Sequence, residues 1–223
     1  MYLNGGLMFM TPFLFFEDPY DCDKLSTPMS EEECKDFICS LTESQRVFYI
    51  PTETIHSLAN HFGDYRCPTD KLGFDTLIAV MFFGAAMGFL CLTLFGEMIG
   101  RKLLMQLNMA SFIIGMTLTI LCVDVYMAAV GLFLSVLGIS NAYSICFYFI
   151  VETISDDYRE KMSVLCQSFY GVGVILDILW YWGIGNWQII LTCCFLVPGL
   201  IVLALLTFVI TDTPKCLVLN NPS

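Results

Sequence analysis

The sequence predicts an all-α membrane protein, a bundle of six helices with a long polar loop between the first and second. Three observations carry that prediction. Hydrophobic residues make up 57% of the chain and charged residues only 14%, a balance that belongs to proteins whose solvent is partly lipid. Uncharged runs cover Thr76 to Gly96, Leu103 to Val123, Val125 to Val151 and Ile178 to Thr211. Each is at least as long as the roughly 20 residues a helix needs to cross a hydrocarbon core of about 30 Å. Finally, 12 of the 21 acidic residues lie between Glu17 and Asp70, so the net charge of -11 describes one loop and not the whole surface. That loop reads as a solvated acidic segment, or as an electrostatic funnel for cations.

Residues 1–16 are apolar and end at Glu17, but as a helix they reach only about 24 Å, and Pro12 interrupts the backbone ladder. They are expected to form a short or partial first transmembrane helix, with the chain beginning partway along it. A secretory signal peptide has an apolar core of this length. Here no basic residue precedes the run and no small-residue cleavage site follows it.

Residues 17–72 form the loop, marked by Pro19, Pro28, Pro51 and Pro68 and holding both histidines, His56 and His61. Cys22, Cys34, Cys39 and Cys67 lie here. An even number of cysteines in a polar loop suits two disulfides, with three pairings open, and hence an oxidising side of the membrane. Free thiols and a zinc site are the other readings. The zinc reading lacks any paired C-x2-C spacing.

Residues 73–211 hold the remaining helices, expected at about 74–96, 103–122, 126–151, 161–182 and 187–210, and residues 212–223 form a tail. The 34-residue run from Ile178 is too long for one crossing, and Gly183-Ile184-Gly185-Asn186 is the turn signal that divides it. Gly84 and Gly88 give helix two a small-residue face for close packing. Ser140, Asn141, Tyr143, Ser144 and Tyr148 make helix four more polar than lipid contact favours, through hydrogen bonds inside the bundle or through a polar cavity. Trp180, Tyr181, Trp182 and Trp187 read as an interfacial aromatic belt. Asp177 is the one clear carboxylate within a span, where insertion costs about 2.5 to 3.5 kcal/mol at the membrane centre. It is either a cation or proton site or a structural acid.

Orientation follows from the density of cations. Arg101, Lys102, Arg159, Lys161 and Lys215 crowd short connectors and the tail, whereas Lys24, Lys35, Arg46, Arg66 and Lys71 are diluted in the long acidic loop. The connectors around Asp124 and Gly185 carry no cation. The positive-inside rule then puts the long loop outside the cytoplasm and the C-terminus inside.

Three features recur on the cytoplasmic side: Glu97-Met98-Ile99-Gly100-Arg101-Lys102 after helix two, Glu152 with Arg159 seven residues later after helix four, and Thr211-Asp212-Thr213-Pro214-Lys215 after helix six. Together they resemble the major facilitator superfamily. The first is similar to its G-x-L-x-D-R-x-G-R-K loop, the second to the E-x6-R ending of the fourth helix, and the third to the P-E-S-P-R segment after the sixth. The long cysteine-bearing loop narrows the resemblance to the organic cation and anion transporter-like branch. The chain would then match the N-terminal six-helix half of such a transporter, with the long extracytoplasmic loop between helices 1 and 2.

The resemblance implies a conformational latch on the cytoplasmic side, made by Glu97, Gly100, Arg101, Lys102, Glu152, Arg159, Asp212 and Lys215. Met98 stands where the pattern has arginine and Thr93 where it has the leading glycine. It further implies transport of small organic solutes, organic cations among them, by alternating access, with Asn141, Tyr143 and Asp177 as candidates for the solute cavity. Because the family uses twelve helices, a half-length or truncated chain needs a homodimer or a partner half to close the cavity. The alternative is a non-transporting structural or regulatory subunit derived from a transporter half. Expected partners are the lipid bilayer and a small-molecule solute, with no nucleic acid. The expected location is the plasma membrane. No phosphate loop, nucleophile motif or metal-ligand set accompanies a span, so no enzyme activity, cofactor or metal is expected.

Overall fold

The computed structural model of the 223-residue chain describes residues 3, 7, 10–15, 31–41, 57–62, 74–95 and 101–208. Every element among them is helical, without a β-strand: α1 (Thr11–Leu14), α2 (Glu31–Ser40), α3 (Leu58–His61), α4 (Phe74–Phe95), α5 (Arg101–Ile120), α6 (Val125–Thr153), α7 (Asp156–Ile184) and α8 (Trp187–Phe208). Four segments are long and apolar enough to cross a membrane: Arg101–Ile120, Val125–Val151, Asp157–Ile184 and Trp187–Phe208. Helix α4 adds 22 residues, of which Thr76–Leu90 form a shorter apolar stretch.

Uncharged sequence forms helices here because, away from water, a helix alone satisfies every backbone group within one segment. Its ends are set by local chemistry. Helix α7 stops at Gly185, whose φ of 63° lies in the left-handed region that glycine enters without penalty, and its N–H closes onto the Tyr181 carbonyl at 3.0 Å. The next residue, Asn186, starts α8 by accepting the Gln188 N–H on its side-chain oxygen at 3.0 Å. At the other end of α7, extended Ile154 and Ser155 join it to α6 with only two residues.

Helix α6 is the centre of the bundle, flanked by α4 on one side and α5 on the other. Helix α5 turns one stripe inward, Leu104, Met105, Asn108, Met109, Phe112, Gly115, Met116 and Thr119, while Leu103, Leu107 and Ile114 face outward. The spacing is that of one helix face. Both seams of α6 depend on glycine, because between helices in lipid it is close van der Waals contact that drives association. A Cβ on Gly84 would lie 2.8 Å from the Phe133 carbonyl of α6, and one on Gly88 would lie 2.6 Å from that of Leu137. On the other seam, a Cβ on Gly131 would lie 2.5 Å from Thr119 Oγ1 and 2.9 Å from the Gly115 carbonyl.

Hydroxyl groups within the spans are absorbed locally. Thr117 donates to the Ile113 carbonyl at 2.8 Å, Thr119 to Gly115 at 3.0 Å and Ser135 to Gly131 at 2.8 Å, the back-bond to the preceding turn that such side chains make in helices. Ser111 instead reaches across to the Leu134 carbonyl at 3.1 Å and ties α5 to α6.

Described residues near the N-terminus belong to the core. Leu3, Leu7, Met10 and Leu14 are buried at helical spacing within the cluster formed by α4, α5, α6 and α8. At one end of the bundle, α3 lies against the start of α8: the His61 ring meets Trp187 edge-on at 5.6 Å, and Leu58 and Phe62 join the same core as Trp187 and Ile190. This end carries the Gly185 turn. Arg101, Lys102, Arg159 and Lys161 lie at the opposite end, at the starts of α5 and α7. The aromatic belt expected from sequence needs correction: Trp180 and Trp182 do face outward, but Tyr181 and Trp187 are buried. Helix periodicity explains this, since adjacent residues on α7 point about 100° apart, and Trp187 is covered by α3.

Gly131→Ala should therefore weaken the α5–α6 seam, lowering stability by about 1–3 kcal/mol and the unfolding midpoint of the detergent-solubilised protein by several degrees. Gly171→Ala, in open space on α7, should leave the midpoint unchanged or slightly raised. Equal behaviour of the two variants would show that the seam does not depend on close approach.

Candidate functional site

The polar residues of α6 divide between two of its faces, and the structure assigns them different work. Asn141 is fully buried on the α5 side. Its Nδ2 donates to Asn108 Oδ1 at 3.0 Å, and Asn108 Nδ2 donates to the Leu104 carbonyl at 2.7 Å. The pair is a clamp within the α5–α6 seam, so Asn141, a cavity candidate in sequence, sits among packed helices. Asn141 Oδ1 and Ser140 Oγ are buried and meet no hydrogen-bond partner among the described residues. Ser144 donates to the Ser140 carbonyl at 3.2 Å. Sequence reasoning passed over Asn108, although it falls on the buried stripe of α5 at the fourth position after Leu104.

Tyr143 occupies the other face, towards α7. Its hydroxyl accepts from Gln167 Nε2 at 3.1 Å, and its ring meets that of Tyr170 edge-on, with centroids 5.9 Å apart. Tyr143 and Tyr170 are half-buried and Gln167 is exposed. The cluster offers a phenol O–H that is still free to donate, a carboxamide oxygen that can accept, and two aromatic faces. That set suits a small polar organic molecule, with hydrogen bonds along one edge and stacking or cation–π contact along another. Gln167 and Tyr170 were missed from sequence because their register against Tyr143 depends on how α7 packs.

Asp177 is only 2% exposed and is engaged within the fold. Together with Cys166, Gly173 and Tyr181 it marks the inner face of α7, the spacings of seven, four and four residues all returning to one side. It stands seven residues, or about 10.5 Å along the helix, beyond Tyr170. The structure thus places Asp177 deeper towards the Gly185 end than the Tyr143 cluster, and turned inward.

Of the latch residues, Arg159 is the best defined. It sits on the first turn of α7 and its Nε donates to the Val151 carbonyl at 3.2 Å, near the end of α6. A guanidinium there satisfies an orphan carbonyl and meets the negative end of the α6 dipole. Arg101 and Lys102 begin α5 and are half-buried. Glu152 lies in the last turn of α6, its side chain outside the described set, and Glu97, Gly100, Asp212 and Lys215 also lie outside the described residues.

Among the disulfide candidates, Cys34 is buried and Cys39 half-buried on α2. Cys22 and Cys67 lie outside the described residues. No group of three His, Cys, Asp or Glu that could hold a metal occurs among the described residues. In the turn between α5 and α6, burial pushes the Cys122 thiol up to about 11, against a smaller opposing pull from its own backbone N–H.

A family model described as Sugar (and other) transporter matches residues 37–222, which is most of the 223-residue chain. No curated protein matches it.

Cys122 should remain a neutral thiol through the physiological range. Because only the thiolate reacts, its alkylation rate, followed by peptide mass spectrometry on protein in nanodiscs, should rise about tenfold per pH unit between pH 8 and 10. A rate that levels off by pH 9 would mean that the thiol is not held up by burial.

Proposed function

The chain belongs to the sugar (and other) transporter family of the major facilitator superfamily, and we propose that it moves a small polar organic solute across a membrane by alternating access. The observation that carries this reading is the Gln167–Tyr143 hydrogen bond beside the Tyr170 ring. An exposed carboxamide on a helix otherwise lined by Val164, Leu165, Phe169 and Val172 is costly against lipid, and serves best where it faces solute and water.

Within this reading Tyr143, Gln167 and Tyr170 form the contact surface, and Asp177 supplies a negative charge further along α7. Two aromatic rings and a carboxylate favour an organic cation over a neutral sugar. Asn141 supports the site from behind by fixing α6 against α5. Arg159, Arg101 and Lys102, with Glu97, Gly100, Glu152, Asp212 and Lys215, form the cytoplasmic latch. A solute held at the α6–α7 face needs a second bundle opposite it, supplied by further helices of a longer chain, by a second copy of the chain or by a partner half. The long loop lies outside the cell and the C-terminus in the cytoplasm of a plasma-membrane protein. Two disulfides join Cys22, Cys34, Cys39 and Cys67.

A second reading has its own support. Met98 takes the place of an arginine in the latch pattern, and an incomplete latch fits a regulatory membrane subunit that no longer cycles. Under that reading a partner covers the Tyr143 cluster, and no water reaches it.

Uptake into proteoliposomes separates the two. Radiolabelled tetraethylammonium should accumulate, Gln167→Ala should lower the initial rate about tenfold, and Tyr143→Phe should lower it less, because the phenol is one of several contacts. Absence of uptake for tetraethylammonium and for glucose, with or without co-purified partners, would defeat the transport reading.

The loop is tested separately. Non-reducing peptide mapping of protein extracted from cells with thiols blocked should recover two cross-links confined to those four cysteines. Recovery of free Cys22 or Cys67 in most molecules would exclude the proposed pairs.

A further inference from the structure

Helix α8 is not uniform. Its first turn, Trp187–Ile190, is α-helical, Leu191–Leu196 is wound as a π-helix, and Val197–Phe208 is α-helical again. The wide turn closes with the Val197 N–H on the Thr192 carbonyl, five residues back. The next residue is Pro198, which has no N–H and so cannot continue the ladder, and whose ring crowds the carbonyl of Cys194. Gly199 follows. Thr192 adds a side-chain bond to the Gln188 carbonyl at 2.7 Å, which holds the turn before the wide segment.

The two halves are also held by different neighbours. In the outer half Trp187, Ile190, Leu191, Cys194 and Phe195 are all buried, and His61 of α3 rests on Trp187. In the inner half only Gly199 and Leu206 are buried, and the polar tie to α5 is a single 3.4 Å contact from Gln106 Nε2 to Thr207 Oγ1. Gly199 marks the crossing point. A Cβ there would lie 2.9 Å from Cε1 of the fully buried Phe112 ring on α5.

We infer that Leu191–Pro198 is a hinge: the inner half of α8 pivots against α5 about the Gly199–Phe112 contact, while the outer half stays fixed to the bundle core and to α3. Bending costs less here than in a regular α-helix, because Pro198 offers no N–H to the ladder and the π turn before it has already departed from the i→i−4 pairing. The anchored half and the loose half meet where bending is cheapest. The motion provides one cytoplasmic-side movement that does not require the α5–α6 or α4–α6 seams to open. It is independent of which solute, if any, is carried.

A fluorine probe reads this directly in the full chain, without solute. Trifluoromethyl-phenylalanine placed at Phe208, at the inner end of α8 and exposed, should give two exchanging ¹⁹F resonances in lipid nanodiscs, whereas the same probe at Ile189 in the outer half should give one. Pro198→Ala restores an N–H to the ladder and should collapse the Phe208 signal to one resonance. Gly199→Ala crowds Phe112 and should change the ratio of the two populations at least twofold, which decides the matter should Pro198→Ala fail to fold. One resonance at Phe208 in the native chain, or two that neither substitution alters, would overturn the hinge. Because no transport is measured, failure of the uptake experiment leaves this result standing.

Discussion

The structure depends on one constraint: polar groups at membrane depth must find their partners inside the protein. The backbone meets it by being helical. The side chains meet it in two ways, by turning back on their own helix, as Thr117, Thr119 and Ser135 do, or by bonding across a seam, as Ser111, Asn108 and Asn141 do. The second way requires backbones to come close. Glycines at the α4–α6 and α5–α6 crossings permit that approach, so satisfaction of polar groups and close packing are parts of one solution.

The same constraint separates scaffold from site. Helices α4, α5 and α6 form a close-packed block. Helix α7 is tied to it by the two-residue link from α6 and by the Arg159–Val151 and Tyr143–Gln167 bonds, yet most of its surface faces away from the block. The Gln167 carboxamide and Tyr170 ring on α7, beside the Tyr143 phenol of α6, are where the bundle can meet something other than itself. The rigid block gives them a fixed platform, and the loosely held helix gives them room to respond.

The all-helical membrane class could be read from uncharged runs because lipid enforces it through composition alone. The turn after Gly183 was equally legible, since Gly185 and Asn186 are residue types with specific local geometry. The rest was not. The exposed or buried state of Tyr181 and Trp187 depends on what covers them, and α3 reaches Trp187 from a loop more than a hundred residues away in sequence. Asn141 was visible as an unusual residue, but its partner Asn108 becomes meaningful only when the two helices are in register. Gln167 and Tyr170 looked ordinary for the same reason. The π turn at Leu191–Leu196 has no signature, because every residue in it is apolar or small.

The Asn108–Asn141 clamp has a consequence on the scale of generations. A lone asparagine left in that seam would strand a buried amide, whereas replacing both by apolar residues of similar shape would cost little. A threonine that bonds its own helix can drift to serine or alanine by itself, because no other helix notices. The two asparagines have no such freedom. Change at one position is coupled to change at the other, because losing either alone leaves a buried amide group without its partner at a cost of about 1–3 kcal/mol.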